Sequence, residues 1–146
     1  ILGKNITYDV LSFFQVNIPV FEQALKTIKK LVKSKNIVGM YSGVGTIGIT
    51  VGATTLVESD DNNIAMAQKN AGKAVVDPPR AGLHKSVTDK IAEVRPLQLV
   101  YLSCNPSTQA RDIKLLEEHY KIIYAQGFNF FPRTPHIESL IVLELK

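Results

Sequence analysis

With 146 residues, 45% of them hydrophobic and 21% charged, the chain carries enough apolar material for a packed core, which excludes intrinsic disorder. No apolar run approaches the ~20 residues that cross a bilayer, which excludes a spanning helix. Seventeen Lys and Arg against 13 Asp and Glu give a net charge of +4, which permits a nucleic-acid partner without demanding one.

In chain order, Ser12 to Asn17 is a short segment before Pro19. Val20 to Lys35 reads as an amphipathic helix, with Phe21, Leu25, Ile28 and Val32 on one stripe. Lys26, Lys29, Lys30, Lys33 and Lys35 form its solvated face. Asn36 to Tyr41 reads as a strand and is followed by a glycine-rich turn; Leu56 to Glu58 is a second, short strand. Asp60 or Asp61 caps a helix bearing Ile64, Met66 and Ala67. Lys73 to Asp77 is an apolar strand, and Pro78 and Pro79 end its pairing because neither has an N–H to donate.

Lys85 to Val94 predicts a helix with Val87, Ile91 and Val94 inward, and Leu97 to Leu102 the strand that follows. Ser107 is placed as the N-cap of a helix running through His119, with Ala110, Ile113 and Leu116 on its buried side. Lys121 to Ala125 and Ser139 to Leu145 complete the list of strands. Alternating strands and helices predict one α/β domain over residues 1–146, with a mostly parallel sheet and helices on both faces. Glu58 and Asp77 stand too close in sequence for the helix, strand and loops expected between them. Abrupt joins near residues 11–12 and 72–73 suggest that residues are missing there.

Three local patterns carry chemistry. Gly43-Val44-Gly45-Thr46-Ile47-Gly48 follows a strand; such a loop lets the backbone turn tightly and approach a ligand. Glu58 ends the next strand, where a carboxylate accepts hydrogen bonds from ribose hydroxyls. Together they point to an adenosine-bearing cofactor without separating NAD from S-adenosylmethionine; the alternative is a plain turn and a surface acid. Asp77-Pro78-Pro79-Arg80 holds a carboxylate and a guanidinium on a stiff exit from a strand. Cys104, in Ser103-Cys104-Asn105-Pro106, is the only cysteine, so it forms no internal disulfide and builds no cysteine-based zinc centre. It sits at the C-terminal end of a strand, where open α/β sheets do chemistry; the plain alternative is a small buried hydrophobe. An unpaired thiol and the lack of a signal-peptide pattern predict a cytoplasmic protein.

Five segments occur in order: Phe14-Gln15-Val16-Asn17, Tyr41 to Thr46, Asp77 to Leu83, Ser103 to Pro106, and Phe131-Pro132-Arg133-Thr134-Pro135-His136-Ile137-Glu138. Together they resemble the catalytic domain of the RNA uracil-5 methyltransferases, over nearly the whole chain. The resemblance implies a Rossmann-like fold, S-adenosyl-L-methionine as cofactor, and rRNA or tRNA as partner. It implies that the Cys104 thiolate adds to carbon 6 of uracil, so that carbon 5 accepts a methyl group, and that Glu138 then removes the carbon 5 proton.

It also implies cofactor contacts by Gln15, Tyr41, Gly43, Gly45, Thr46, Glu58 and Asp77, and substrate contacts by Arg80 and Asn105, with His136 orienting the Glu138 segment. Gly39 and Ser42 depart from the acid and the cysteine usual in the family. The N-terminal RNA-binding barrel and the iron–sulfur cysteines of some members are not seen. The competing readings are an amino-group methyltransferase using Asp77-Pro78-Pro79, an NAD-dependent oxidoreductase using the glycine loop, and a non-catalytic RNA-binding module using the lysine face.

Overall fold

The computed structural model describes residues 1–40, 42–58, 61–71 and 82–146. The expected strand Lys73 to Asp77, and with it Asp77 and Arg80, lies outside the described residues, as does Tyr41. The chain divides into two compact units, Ile1–Pro79 and Arg80–Lys146. Among the described residues no helix is long and apolar enough to cross a membrane.

The first unit opens with an irregular segment and then α1, Ile18–Leu31. Asn17 caps α1 by accepting from the Val20 N–H, and Pro19 occupies the first turn, where a missing N–H costs nothing. Its buried stripe is Phe21, Ala24, Leu25 and Ile28, with lysines on the exposed side as expected. The helix ends at Leu31 rather than Lys35, because Val32 is extended although its N–H still reaches Ile28 O. Strand β1, Val38–Met40, pairs in parallel with β2, Thr55–Val57, in the register Val38 to Thr55 and Met40 to Val57.

Between the two strands lies α2, Thr46–Val51, a helix the sequence reading passed over. Gly45 caps it at φ +88°, a left-handed conformation that L side chains resist. Gly48 lets α2 lie close on the sheet: a Cβ there would come within 2.0 Å of Leu56 Cδ2. Helix α3, Asp61–Ala71, follows β2 and buries Ala67.

The second unit begins its regular structure with α4, Lys85–Val94, as expected. Its inward residues are Thr88 and Ile91; Val94, expected inward, is exposed. Strand β3, Gln98–Ser103, leads to α5, Pro106–Leu116. The cap of α5 is Asn105, not Ser107: its side chain accepts from the N–H groups of Ser107 and Thr108, and Pro106 takes the first helical position. Strands β4, Tyr120–Phe128, and β5, Glu138–Leu145, close the unit. The sheet order is β3-β5-β4, with both pairings antiparallel, so the last strand lies in the middle. Leu140, Val142 and Leu143 of β5 are almost wholly buried and form a core with Leu116, Tyr120, Phe128 and Phe130.

The buried side of α5 differs from the expected one. Gln109, Asp112 and Leu116 face inward, while Ala110 is exposed and Ile113 half-buried. Two polar side chains take the inner face because strand carbonyls, a phenol and a backbone N–H meet them there.

Candidate active site

The second unit brings together the two residues that the resemblance marks as catalytic. In the β3–β5 register Ser103 pairs with Ser139, the last pair of that ladder. Cys104 leaves β3 at the point where Glu138 enters β5, so the two lie at the same end of one strand pair. Their environments are opposite. Cys104 is exposed on the turn between β3 and α5. Glu138 is only 3% exposed and also pairs with Phe128 on β4. Burial disfavours its charged form and pushes its carboxyl up from 4.5 to about 6. An exposed thiol and a buried carboxyl with a raised pKa at the same end of a strand pair could serve as a nucleophile and a general base.

Two residues of α5 that the sequence reading missed hold this end of the unit in place. Gln109 is buried, and its Nε2 donates both to Tyr101 O on β3 at 2.9 Å and to Ser139 O on β5 at 3.0 Å. One turn further on, the wholly buried Asp112 accepts from Tyr101 Oη at 2.9 Å, from Leu83 N at 2.7 Å and from the guanidinium of Arg111. Leu83 is the last residue of the Asp-Pro-Pro-Arg-Ala-Gly-Leu motif, so Asp112 ties the end of that motif to the helix that follows the Ser-Cys-Asn-Pro motif. Only their i, i+3 spacing on a helix after the thiol marked them in the sequence.

Asn105, expected at the substrate, uses its carboxamide oxygen to cap α5. His136 places its ring edge-on to Phe131 at 6.4 Å, and its N–H donates to Thr134 Oγ1. That bond is made by the backbone N–H, two residues before Glu138.

The first unit holds the described residues of the expected cofactor pocket. Gly43 and Gly45 both have positive φ, and among the described residues nothing lies within 4 Å of where a Gly43 Cβ would stand. Thr46 is buried at the start of α2, and Glu58 is wholly buried just past β2. Ser42 donates to Gly39 O at 2.7 Å. Gln15 follows Phe14, whose ring stacks on Tyr8 with centroids 4.5 Å apart. Among the described residues the buried Gln15 Oε1 has no hydrogen-bond partner. Asn70 of α3, another residue not singled out beforehand, joins these segments. Its Nδ2 donates to Thr7 O and Val44 O, and its Oδ1 accepts from Thr7 N. The glycine loop and the segment leading to Gln15 are thereby fixed to one side chain.

Residues 59–146 match the family described as tRNA (Uracil-5-)-methyltransferase. The chain belongs to this family. A tRNA (uracil(54)-C(5))-methyltransferase of Pyrococcus horikoshii is 38% identical over 158 residues, covering 90% of this chain and 38% of the relative. An uncharacterized RNA methyltransferase of Prochlorococcus marinus is 35% identical over 169 residues, covering 91% of this chain and 40% of the relative. That aligned stretch is longer than the whole 146-residue chain, so the relative carries residues inside it that this chain lacks. Among solved structures, the tRNA (uracil-54, C5)-methyltransferase of Pyrococcus abyssi in complex with S-adenosyl-L-homocysteine superposes with a TM-score of 0.85. It is 34% identical and is matched over 95% of this chain and 42% of its own. This member of the uracil-5-methyltransferase family therefore has the Rossmann-like methyltransferase fold, and it spans about two fifths of the length of the relatives it matches.

Proposed function

We propose that the chain is the catalytic part of an S-adenosylmethionine-dependent enzyme that methylates carbon 5 of a uridine in tRNA. The observation that carries this reading is the shared strand end of Cys104 and Glu138, one exposed and one buried. Family membership and the relatives' names support the choice of tRNA over rRNA. An exposed, unpaired thiol suits the reducing cytoplasm, where we place the reaction.

The chemistry follows from the two groups. Carbon 5 of uracil is a weak nucleophile. Addition of the Cys104 thiolate to carbon 6 moves the ring's electron pair toward carbon 5 and the carbonyl oxygen at carbon 4. S-adenosylmethionine, when bound, supplies the electrophilic methyl group that carbon 5 takes. Carbon 5 then bears both a methyl group and a hydrogen. Glu138 accepts that hydrogen as a proton, the double bond re-forms, and the thiolate leaves carbon 6. A carboxyl titrating near 6 is a stronger base than an ordinary glutamate and is still ionised at neutral pH. Because the thiol must approach the face of the ring, the target uridine has to be unstacked.

The cofactor's requirements are matched in the first unit. The unpartnered Gln15 Oε1 is available to a donor on a ligand. The backbone at Gly43 is open to close approach. Glu58 supplies a carboxylate at the position that contacts ribose hydroxyls in such folds. Asp77 and Tyr41 complete the proposed cofactor contacts, and Arg80 is proposed to contact the substrate. An amino-group methyltransferase needs neither the thiol nor the buried base, and no observation favours it.

The test is covalent capture. Incubating the protein with S-adenosylmethionine and tRNA carrying 5-fluorouridine should give a protein–RNA band that survives a denaturing gel, since fluorine at carbon 5 cannot leave as a proton does. Cys104→Ala should give no band and no methylation of ordinary tRNA. Undiminished methylation by Cys104→Ala would overturn the reading.

A further inference from the structure

Gln109 occupies a position that the proposed chemistry leaves unexplained. Its backbone belongs to α5, yet its amide reaches past its own helix to the carbonyls of two neighbouring strands, Tyr101 O on β3 and Ser139 O on β5. Ser139 is the residue after Glu138, and Tyr101 lies three before Cys104 on the strand that delivers the thiol. The side chain is 2% exposed, so water cannot take over these bonds when the amide is removed. The β3–β5 ladder stops at Ser103 and Ser139, one residue short of Cys104 and Glu138, so Glu138 is paired only with Phe128 on β4, on the side away from the thiol's strand. Within the last three pairs of that ladder, the Gln109 amide bonds both strands at once and ties them to the helix capped by Asn105, where Tyr101 Oη–Asp112 and Ser103–Asn105 hold β3 alone.

We infer that Gln109 is a positioning residue, which sets the thiol of Cys104 and the carboxylate of Glu138 in mutual register for the second half of the reaction. The inference rests on the proposed function. Glu138 acts on the proton at carbon 5 while Cys104 is still joined to carbon 6 of the same ring, so base and nucleophile must be correctly spaced at one moment. Binding of either substrate makes no such demand. Loosening the bridge therefore slows release of the enzyme from the methylated ring more than it slows formation of the adduct, because a displacement near 1 Å can cost about 100-fold in rate.

The test uses the complete protein with Gln109→Met, which keeps length and removes the donor, and Gln109→Glu, which keeps length and polarity but places oxygen acceptors against two carbonyls. With ordinary tRNA, both variants should lower kcat about 10- to 100-fold, with KM for tRNA and for S-adenosylmethionine within about twofold of wild type. Both should accumulate a Cys104-linked protein–RNA band on a denaturing gel, which wild type does not. The band is normalised to folded protein, measured by stabilisation with S-adenosylhomocysteine in a thermal melt, so loss of fold alone cannot imitate it.

Variants that melt at lower temperature but turn over normally per folded molecule, with no accumulated adduct, would overturn the inference and leave Gln109 a purely structural bridge. Failure of the underlying reading looks different: wild type itself would then give no band with 5-fluorouridine tRNA, or Cys104→Ala would keep its activity.

Discussion

Tyr101 of β3 is held at both ends by α5: its phenol donates to Asp112 at 2.9 Å and its carbonyl accepts from Gln109 at 2.9 Å. Asp112 also takes the Leu83 N–H, so one buried carboxylate links a strand, a helix and the end of a loop motif.

Asp112→Ala removes the acceptor for three donors, one in a buried and two in part-buried hydrogen bonds. Unsatisfied buried donors cost about 1–3 kcal/mol each. The variant should unfold at a lower denaturant midpoint, by about 2–4 kcal/mol. Tyr101→Phe removes one donor and keeps the ring, so its loss should be smaller, about 1 kcal/mol. Urea melts followed by circular dichroism check the ranking. Equal losses in the two variants would mean that the Leu83 and Arg111 contacts contribute nothing.

Glu138→Gln separates stability from activity. The carboxyl titrates at about 6 when folded and near 4.5 as a free side chain. A raised folded value means that the native state holds the proton more tightly. The stabilisation this gives is complete below about pH 4.5 and is lost as pH rises through 6. The loss amounts to about 2 kcal/mol at 1.36 kcal/mol per unit. Glutamine does not titrate, so the variant should gain up to about 2 kcal/mol on wild type between pH 4 and pH 8. Paired thermal melts at the two pH values read this directly. Methylation by the variant should fall by at least about 100-fold. Wild-type turnover should climb with pH through about 6 as the base ionises.

Gly48→Val tests the close contact of α2 with the sheet. A Cβ at this position would meet Leu56 Cδ2 at 2.0 Å and Ala53 Cβ at 3.3 Å. The Leu56 side chain must shift to admit it, and overpacking of this kind costs about 1–3 kcal/mol. Because α2 carries Thr46 and follows the glycine loop, affinity for S-adenosylhomocysteine, read by calorimetry, should fall with stability. An unchanged melt would show that Leu56 repacks freely.

Much of this arrangement is legible in the sequence, for physical reasons that differ by element. Helix α1 announces itself because Phe21, Leu25 and Ile28 recur with the helical period against a lysine face. Strand β3 and its thiol are legible because an apolar run ends abruptly at Ser-Cys-Asn-Pro. Helix α2 is not legible: six residues are too few to display a period, and Gly48 sits within them. The inner face of α5 is misread because periodicity credits apolar residues with burial. Gln109 and Asp112 are buried for the opposite reason: the partners they bond lie on β3, on β5 and at Leu83, all remote in sequence. The nearness of Cys104 and Glu138 could be expected only through the resemblance, since an antiparallel register between distant strands leaves no local trace.

The middle place of β5 has a consequence for how the reactive pair comes into being. Synthesis delivers β3 and β4 first, and neither pairs with the other. Strand β5 pairs with both and carries Glu138 at its start. Under the proposed function, the two groups are therefore brought to one strand end only when β5 takes its place between β3 and β4.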